Sequence, residues 1–564
     1  MSDELGSSCL DRIIVRPSLV WAQWGRWIAA ILVVLVTVWA QVVAFPPYEV
    51  PEAAFFFAIP ILGWLYWAQP TGKVTLVVGL MSGWISWGCL LRWLHHFPEQ
   101  VGVAYPNVLG WGAVVLLSGV VALFWVVWVF FARWLLSVER CRHLAWRVWA
   151  LLALAGGWCL LEWLRTWIFT GFPWLPLSSS QWERPMMLQI AAYTGAWGIS
   201  FVLILMNGGV VFYLRHLLTT QRRPWWRRFS VEFYLSFGGL LILLSAGLWD
   251  PYYGASERAF SGGFIQPAVQ PKERWDESYA TQVLSDYERV CSYAVWDGAE
   301  VILWPEASIP YPAPGDPWAE DWLSSLAHRL RIPILMGNLA SEREGGSIEA
   351  RQWYNAVIAI DPEEGIADRF YQKQHLVPFG EYVPRWIPFL DKVVPLDGYF
   401  TEGEGPIVLE LRINGKDWRF GPLVCYEDLF PQLARQYIAE HIDVFFVATN
   451  DAWYGREGAA YQHASHSVLR AVETRRPVLR AGNEGWSGWI DERGQIRAVL
   501  IGGEGTVYFQ GANAIDIYVD PRYYGRESLY VQWGDWWISV SFGLVLIAVG
   551  YGLLLSRRSG ACVC

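Results

Sequence analysis

Three short segments of the chain carry residues whose types suit nucleophilic chemistry. The first is GPLVCYEDLF, in which Cys425 ends a short apolar run and is followed at once by Tyr426 and Glu427. This pattern is typical of a strand that stops and presents a thiol at a sharp turn. By itself it more often marks a buried core cysteine, so the interpretation depends on the other two segments.

The other two segments supply what a nucleophilic cysteine needs. WPEASIP places Glu306 after an apolar, strand-like run, and FYQKQHLVPFGEYVP places Lys373 in a loop with Glu381 close behind. A thiol is mostly protonated at neutral pH, and the thiolate is the nucleophile, so a base or a cation must activate it. We expect Glu306 to be the base. Lys373 would be the cation, and it could also stabilise the oxyanion that forms when Cys425 attacks a carbonyl.

The order of these three residues resembles that of the nitrilase (carbon–nitrogen hydrolase) superfamily, in which Glu, Lys and Cys follow one another in such contexts. The run RAVETRRPVLRAGNEGWSGWIDERG, residues 470–494, resembles the helix, strand and hairpin that follow the cysteine in that superfamily. The resemblance implies an α/β domain of the αββα sandwich type.

The composition of the chain indicates a membrane protein. Its 564 residues are 54% hydrophobic and only 17% charged, they include 38 tryptophans, and the mean hydropathy is positive. This length exceeds that of one ordinary domain. The formal net charge is −9, and no basic stripe suggests a nucleic-acid partner.

Eight apolar runs have about the length that a bilayer requires, which is roughly 20 residues for a helix. The predicted spans are residues 27–45, 52–68, 74–94, 108–136, 144–163, 190–214, 234–249 and 536–555. The first run has no small-residue cleavage site, so we interpret it as a retained helix and not as a removed signal peptide. The second is short and interrupted by proline. We therefore expect a membrane domain at 1–250, an outer catalytic domain at 251–532, and a last span with a short tail at 533–564.

The arginines predict the orientation of these spans. They cluster before the first span, between the fourth and fifth, between the sixth and seventh, and after the eighth. Short cytoplasmic loops retain Lys and Arg, and with eight spans these four positions are all on one side. We therefore expect both termini in the cytoplasm and the long segment before the last span in the periplasm of a bacterial inner membrane.

The long segment before the last span has the pattern of an α/β domain. Compact apolar strands are predicted at 260–265, 300–304, 332–337 and 444–449, with helices at 278–295 and 317–330 between them. Paired strand signals with turns between them add hairpins. The periodicity alone would allow α/β folds other than the αββα sandwich.

The fifth span ends in LEWLRTWIFTGFPW, which places two charged residues at the edge of an apolar helix. Glu162 and Arg165 are three residues apart and share one helix face. They could form an ion pair that hides both charges from lipid. They could also form a polar patch for a lipid head group.

This string, together with TGAWGISFVLILMNG at 194–208 and YVQWGDW at 530–536, closely resembles the apolipoprotein N-acyltransferase family of bacterial membranes. That family transfers an acyl chain from a phospholipid to the α-amine of the diacylglyceryl-modified N-terminal cysteine of a lipoprotein. The resemblance implies ping-pong catalysis by Glu306 as general base, Lys373 as oxyanion partner and Cys425 as nucleophile. It also implies a phospholipid donor, a lipoprotein acceptor and a lipid bilayer as partners, and we expect a monomer.

Further site residues follow from the resemblance. Glu381, Tyr426 and Glu427 match residues that the family needs around its site, and Trp275 matches a tryptophan near the substrate entrance. The chain departs from the family where it carries Gln266, Pro267 and Ala268, and again at Glu484 and Trp486, where smaller residues are usual. These departures concern the shape of the pocket and not the three catalytic residues.

The glycine-flanked loop TNDAWYGREG carries two aromatic residues that could act as a mobile lid. Trp453 and Tyr454 would exclude water from a thioester on Cys425. An alternative is that both rings dip into the bilayer interface.

No metal or cofactor is expected. The eight cysteines have no CxxC spacing, and neither a P-loop nor a dinucleotide fingerprint occurs. We interpret His95 and His96 as interfacial polar residues, and His463 and His466 as helix surface or core. A disulfide between Cys291 and Cys425 would consume the nucleophile and is disfavoured.

Two rival functions remain open at this point. A membrane-anchored amidase or hydrolase would use the same residues but pass the acyl group to water. A transporter or receptor would use the outer domain only to bind a ligand, and it would not need Glu306, Lys373 and Cys425 together.

Overall fold

A computed structural model describes residues 19–103, 105–219, 229–248, 256–274, 277–343, 351–385 and 400–560. This part of the chain consists of helices of membrane length and a domain with two β-sheets. Trp275 lies outside these residues. The long helices of the apolar regions are Leu19–Val43, Ile59–Ala68, Gly72–Leu90, Pro106–Leu135, Leu144–Arg165, Ala196–Thr219, Val231–Ser245 and Trp536–Gly560.

Eight helical segments of the described chain are long and apolar enough to cross a membrane, which confirms the predicted number of spans. Some bounds differ for local reasons. The third helix ends at Leu90, because the chain tightens into the 3₁₀ turn Arg92–His96. The sixth begins at Ala196 and not at 190, because Gly195 has a φ of +68° that a right-handed helix does not accept.

Small residues let the membrane helices approach closely. A Cβ at Gly83 would lie 2.7 Å from the Trp125 ring, and one at Gly156 would lie 2.9 Å from the Ser541 carbonyl oxygen. Such positions allow van der Waals contact between helix backbones in lipid, where no hydrophobic force drives association. The last span therefore packs against the fifth although the whole outer domain separates them in sequence.

The outer domain contains two sheets. Its strands in the described residues are β1 Glu257–Gln266, β2 Val301–Trp304, β3 Ile334–Arg343, β4 Arg351–Asp361, β5 Gly365–Ile366, β6 Tyr371–Gln372, β7 Leu409–Ile413, β8 Lys416–Val424, β9 Val444–Thr449, β10 Val478–Gly482, β11 Gly488–Ile490, β12 Ile496–Val499 and β13 Gly511–Val519. One sheet has the order β13-β1-β2-β3-β4-β5, with β6 also paired to β4, and the other has β12-β11-β10-β9-β8-β7. The predicted strands all occur: the strand at 444–449 has the predicted bounds, and the ends of the other three are shifted.

Alternation along β2 shows how the layers stack. Val301 and Leu303 belong to the core shared by the two sheets, whereas Ile302 and Trp304 pack in a second core beneath the outer helices. Successive side chains of a strand point to opposite faces, so both faces of this sheet are covered. The outer-domain helices are Pro271–Arg274, Glu277–Trp296, Pro317–Leu330, Pro431–Ala439 and Ala459–Thr474. The domain is thus the expected αββα sandwich.

Parallel strands at the centre of each sheet place the candidate site residues at one edge of the domain. β1, β2 and β3 are parallel neighbours, as are β8, β9 and β10. The carboxyl ends of β2, β8 and β9 lead into Glu306, Cys425 and Asp451. The Glu306 backbone N–H donates to the Thr449 carbonyl at 3.4 Å, which joins the two sheets at this edge.

The close approach of the sheets at Gly337 predicts a steric requirement there. A Cβ at Gly337 would lie 2.7 Å from Ala448 Cβ of the facing sheet and 2.6 Å from Pro305 O, which follows the neighbouring strand β2. We expect Gly337→Ala to lower the free energy of unfolding by about 1–3 kcal/mol. Thermal unfolding in detergent measures this. Gly405→Ala is the control, because a Cβ there meets nothing within 4 Å. Equal stability of the two variants would contradict the close approach.

Candidate active site

Cys425 lies at a strained turn between β8 and the short 3₁₀ helix Cys425–Leu429. Its φ is +50°, a left-handed conformation that costs a non-glycine residue about 1–2 kcal/mol. The side chain is buried near the Glu306 carboxylate, whose charge raises the pKa of the thiol. The turn therefore places the sulfur near the carboxylate that the sequence predicts as its base.

Lys373 joins the carboxylates at the centre of the site. It follows β6, which pairs with β4, and its backbone N–H donates to the Asn355 carbonyl at 2.8 Å. Its ammonium lies 2.9 Å from Glu381 Oε1 and 3.7 Å from Glu306 Oε1. The structure thus brings together four residues that the sequence singled out separately: Glu306, Lys373, Glu381 and Cys425.

Asn355 on β4 completes this group, and sequence reasoning missed it. Its Nδ2 donates to Glu306 Oε1 and to Glu381 Oε1, each at 2.7 Å. The available signal was a polar amide at the head of the apolar run NAVIAI, because a buried amide is costly unless it is hydrogen-bonded.

Burial and neighbouring charges set the protonation of the site. Burial raises the pKa of the Cys425 thiol, and Glu306 raises it further, against the effect of Lys373. Burial also raises the pKa of Glu306, which Lys373 opposes. Burial alone would lower the pKa of Lys373, but the Glu381 and Glu306 carboxylates raise it above its usual value. At neutral pH a protonated thiol and a charged lysine therefore lie beside Glu306, an arrangement that suits general base catalysis by this residue.

Glu427 holds two loops of the site together. Its carboxylate accepts hydrogen bonds from the backbone N–H groups of Val424 at 2.8 Å, Gln374 at 2.7 Å and His375 at 3.0 Å. It also accepts one from the Tyr371 hydroxyl at 2.9 Å. Burial raises the pKa of Glu427 to about 7. This side chain fixes the Cys425 turn relative to the loop that carries Lys373.

The loop at the outer end of the fifth span contacts the catalytic turn directly. The Tyr426 hydroxyl donates to the Gly171 carbonyl at 2.9 Å, and His375 Nε2 lies 3.0 Å from the Thr170 carbonyl. Further along, Trp174 Nε1 donates to Gln462 Oε1 at 2.9 Å, as Trp93 Nε1 does at 3.0 Å. The LEWLRTWIFTGFPW string is thus part of the wall of the site.

Residues 451–457, called the lid segment below, rest on the outer end of the third span. The Tyr454 ring meets the Trp93 ring edge-on at 4.5 Å, and the Trp453 ring lies 5.8 Å from that of Phe97. Burial raises the pKa of Tyr454, and the nearby Cys425 raises it further. The lid segment therefore lies between the catalytic turn and the membrane domain, and its role as a lid stays a prediction.

Glu457 ends the lid segment beside a histidine pair. Its carboxylate lies 2.9 Å from Arg92 Nε and 3.4 Å from His96 Nε2. In the described part of the chain, His95, His96 and Glu457 form a group whose donor atoms all lie within 4.8 Å of one another. The histidines lie at the outer end of the third span, where they were expected as interfacial residues.

Glu162 and Arg165 take different partners. Glu162 Oε1 accepts from the Leu177 N–H at 2.6 Å, whereas the Arg165 guanidinium lies over the Trp87 ring, 5.0 Å from its centre. Both side chains line a cavity of about 40 Å³ together with Gln41. Within the described structure they do not form the direct ion pair that was one alternative, and the head-group alternative stays a prediction.

His463 and His466 are core residues, and sequence reasoning missed their partners. His463 lies 2.8 Å from Asp451 and 3.1 Å from Asp428, carboxylates that two distant turns supply. His466 Nε2 accepts from the Leu175 N–H at 3.4 Å. Cys291 and Cys425 are both free, so the disfavoured disulfide does not form.

An αββα sandwich whose buried cysteine, glutamate and lysine face a membrane helix bundle defines a membrane-bound enzyme of the carbon–nitrogen hydrolase class. Two family models match the chain. "Apolipoprotein N-acyltransferase N-terminal domain" covers residues 37–209, and "Carbon-nitrogen hydrolase" covers residues 267–510. The first model lies within the membrane domain, and the second lies within the two-sheet domain.

Curated relatives match over nearly the whole length. An apolipoprotein N-acyltransferase of Geobacter metallireducens is 30% identical over 513 residues, which is 90% of this chain and 92% of the relative. One from Brucella melitensis is 29% identical over 544 residues, 91% of this chain and 93% of its own. Among solved structures, an amidase from Nesterenkonia sp. aligns with 51% of this chain and 99% of its own at 20% identity and a TM-score of 0.35. The chain belongs to the apolipoprotein N-acyltransferase family.

The predicted family and fold class are thereby confirmed. The domain bounds and the roles of Glu306, Lys373, Cys425 and Trp453 stay predictions. The position of Trp275 stays outside the described residues.

The four donors on Glu427 predict a strict need for a carboxylate. In Glu427→Gln the amide nitrogen would face at least one backbone N–H, and each donor left unpaired costs about 1–3 kcal/mol. We expect a lower unfolding temperature and slower alkylation of Cys425 by iodoacetamide, followed by peptide mass spectrometry. Glu410→Gln is the control, because its side chain is 58% exposed. Unchanged alkylation in Glu427→Gln would show that the turn does not depend on this side chain.

Proposed function

We propose that this protein transfers an acyl chain from a phospholipid to the α-amine of the diacylglyceryl-modified N-terminal cysteine of lipoproteins. The observation that carries the proposal is the buried Cys425 thiol, which lies near a Glu306 carboxylate that is paired with Lys373 and is walled by the membrane domain. The names of the relatives, which match across nine-tenths of the chain, support the choice of reaction.

In the first half-reaction Glu306 takes the thiol proton, and the Cys425 sulfur attacks the ester carbonyl of the phospholipid. A carbon–sulfur bond forms, and the negative charge on the carbonyl oxygen is stabilised by the Lys373 ammonium. The ester carbon–oxygen bond then breaks, and Glu306 returns its proton to the departing alcohol oxygen. The products are a lysophospholipid and a thioester on Cys425.

In the second half-reaction the lipoprotein amine attacks the thioester carbonyl. The carbon–nitrogen bond forms, the carbon–sulfur bond breaks, and Glu306 passes the amine proton to the leaving thiolate. Donor and acceptor use the same site in turn, so the kinetics are ping-pong. Glu381 and Asn355 hold Glu306 and Lys373 in place through both steps.

The setting of the site suits a lipid donor. The Gly171 carbonyl accepts from the Tyr426 hydroxyl, and the Thr170 carbonyl faces His375. Both carbonyls lie in the loop that follows the fifth span. Lipid ester carbonyls lie near the ends of membrane-spanning helices, so a donor can reach Cys425 sideways from the bilayer. Seven spans precede the outer domain and one follows, which, with the arginine clusters, supports a periplasmic domain and cytoplasmic termini.

A hydrolase is the alternative with the same first step. Family membership over both halves of the chain disfavours it, and so does the covered position of the site, since a thioester must be kept from water. A receptor or transporter does not account for a lysine buried between two carboxylates next to a free thiol.

Incubation of the purified protein with phospholipid alone tests the proposal. We expect the peptide that carries Cys425 to gain one acyl group, which hydroxylamine removes and which persists until a diacylglyceryl-cysteine peptide is added. Cys425→Ala should lose both half-reactions and Glu306→Gln the first, while Cys89→Ser, a change at an exposed cysteine, serves as the control. Free fatty acid in place of the adduct would establish a hydrolase, and transfer by Cys425→Ala would overturn the assignment.

The contacts of Trp453 predict its effect on the fate of the thioester. Trp453→Ala removes the ring that packs near Phe97, so the lid segment closes less well over the site. We expect the ratio of released fatty acid to transferred acyl group to rise severalfold. This corresponds to a loss of about 1 kcal/mol in the discrimination between the amine and water as acceptors. Trp296→Ala, at a ring that is 89% exposed, is the control. An unchanged ratio in Trp453→Ala would argue that this ring only contacts the bilayer interface.

A further inference from the structure

A buried histidine contacts the backbone of the nucleophile. His463 lies on the helix Ala459–Thr474, and its Nε2 is 3.1 Å from the Cys425 carbonyl oxygen and 3.1 Å from Asp428 Oδ1. On the other side of the ring, Nδ1 is 2.8 Å from Asp451 Oδ1. The ring therefore bridges the catalytic turn and the first residue of the lid segment.

The geometry requires a doubly protonated ring. Both ring nitrogens face oxygen atoms that only accept, and a neutral imidazole has one donor. Arg480 lies 2.7 Å from Asp428 Oδ2 and 3.5 Å from Asp451 Oδ2, so two cations balance two carboxylates in a region without solvent. Burial and Arg480 oppose the charge on the ring, but Asp428 and Asp451 raise the pKa of His463 to about 9.

We propose that His463 is a positioning residue that holds the Cys425 turn through its Nε2–H and couples this turn to the lid segment through Asp451. A left-handed φ of +50° persists only where the surroundings hold it, and the carbonyl of Cys425 is the group that this hydrogen bond fixes. The inference rests on the proposed function only in taking Cys425 as the nucleophile.

Other groups around the ring have different tasks. Ser467 Oγ donates to Asp428 Oδ2 at 2.5 Å, and Arg470 donates to the carbonyls of Asp428 and Leu429. The Trp174 ring of the membrane domain covers the imidazole, with ring centres 5.7 Å apart. His466, one turn further along the helix, bonds to Leu175, so it offers a matched control on the same helix.

Three variants of the full-length protein in detergent separate positioning from mere packing. In His463→Asn the donor to the Cys425 carbonyl is lost. We expect alkylation of Cys425 by iodoacetamide and acylation by phospholipid to slow by about tenfold or more, with the KM for the phospholipid unchanged. His466→Asn should change either rate by less than about twofold. In the alkylation the carbon–sulfur bond forms, iodide leaves and the thiol proton passes to Glu306.

The pH profile of Asp451→Asn separates the proposed positioning role of His463 from a purely structural one. With an amide at 451, a neutral His463 can accept at Nδ1 and still donate from Nε2 to Cys425, so we expect the rate at neutral pH to be close to that of the natural protein. Above pH about 9 the ring of the natural protein gives up its second proton and cannot donate to both Asp451 and Cys425, so the natural protein should react more slowly than Asp451→Asn there. This pH comparison carries the test if His463→Asn does not fold.

Three outcomes are decisive. Slow alkylation in His463→Asn with an alkaline loss that Asp451→Asn abolishes supports the proposal. Equal rates in folded His463→Asn and His466→Asn would overturn it, as would parallel pH profiles of the natural protein and Asp451→Asn. Alkylation needs no lipid, so a natural protein that forms no thioester would refute the proposed function while leaving this comparison intact.

Discussion

The burial of charge is the constraint on which the rest of the structure depends. Lys373 is fully buried between Glu306 and Glu381, and a buried charge is tolerated only when it is paired and hydrogen-bonded. Asn355 donates to both carboxylates, and the Val377 N–H donates to Glu381 as well. Burial makes each of these interactions strong, and the same burial would keep water from the proposed thioester.

The dry site requires the membrane domain as a wall. Gln462 on a catalytic-domain helix accepts from the indole N–H groups of Trp93 and Trp174 and donates to the Pro46 and Leu90 carbonyls, so one amide joins three parts of the membrane domain to the helix of His463. Near the last span, Asp535 accepts from the Trp163 and Trp197 indoles. The YVQWGDW string thus closes the outer domain back onto the spans. The unusual tryptophan content has a physical reason here, because indoles combine a large apolar face with one donor.

Two further side chains hold the Cys425 turn in place. Glu427 accepts backbone donors from the strand before Cys425 and from the Lys373 loop, while His463 approaches the Cys425 carbonyl from the other side. The turn is therefore over-determined, which is how a strained backbone is retained at a reacting group.

The sequence by itself determined the eight spans, the α/β character of the outer domain, the family, and the candidate residues Glu306, Lys373, Glu381 and Cys425. The family was determined through the resemblance of short motif strings. The other features depend on signals within short contiguous stretches: hydropathy over a span, alternation along a strand, and polar residues that directly follow apolar runs. Only the tertiary structure decided that Asn355 bridges two carboxylates, that His463 meets Asp428 and Asp451, and that Glu162 and Arg165 take separate partners. Such pairings depend on which strand ends come together when the two sheets pack, and on where a loop of the membrane domain contacts the two-sheet domain. No local pattern carries that information, because the contacting residues are at least 12 positions apart in the sequence.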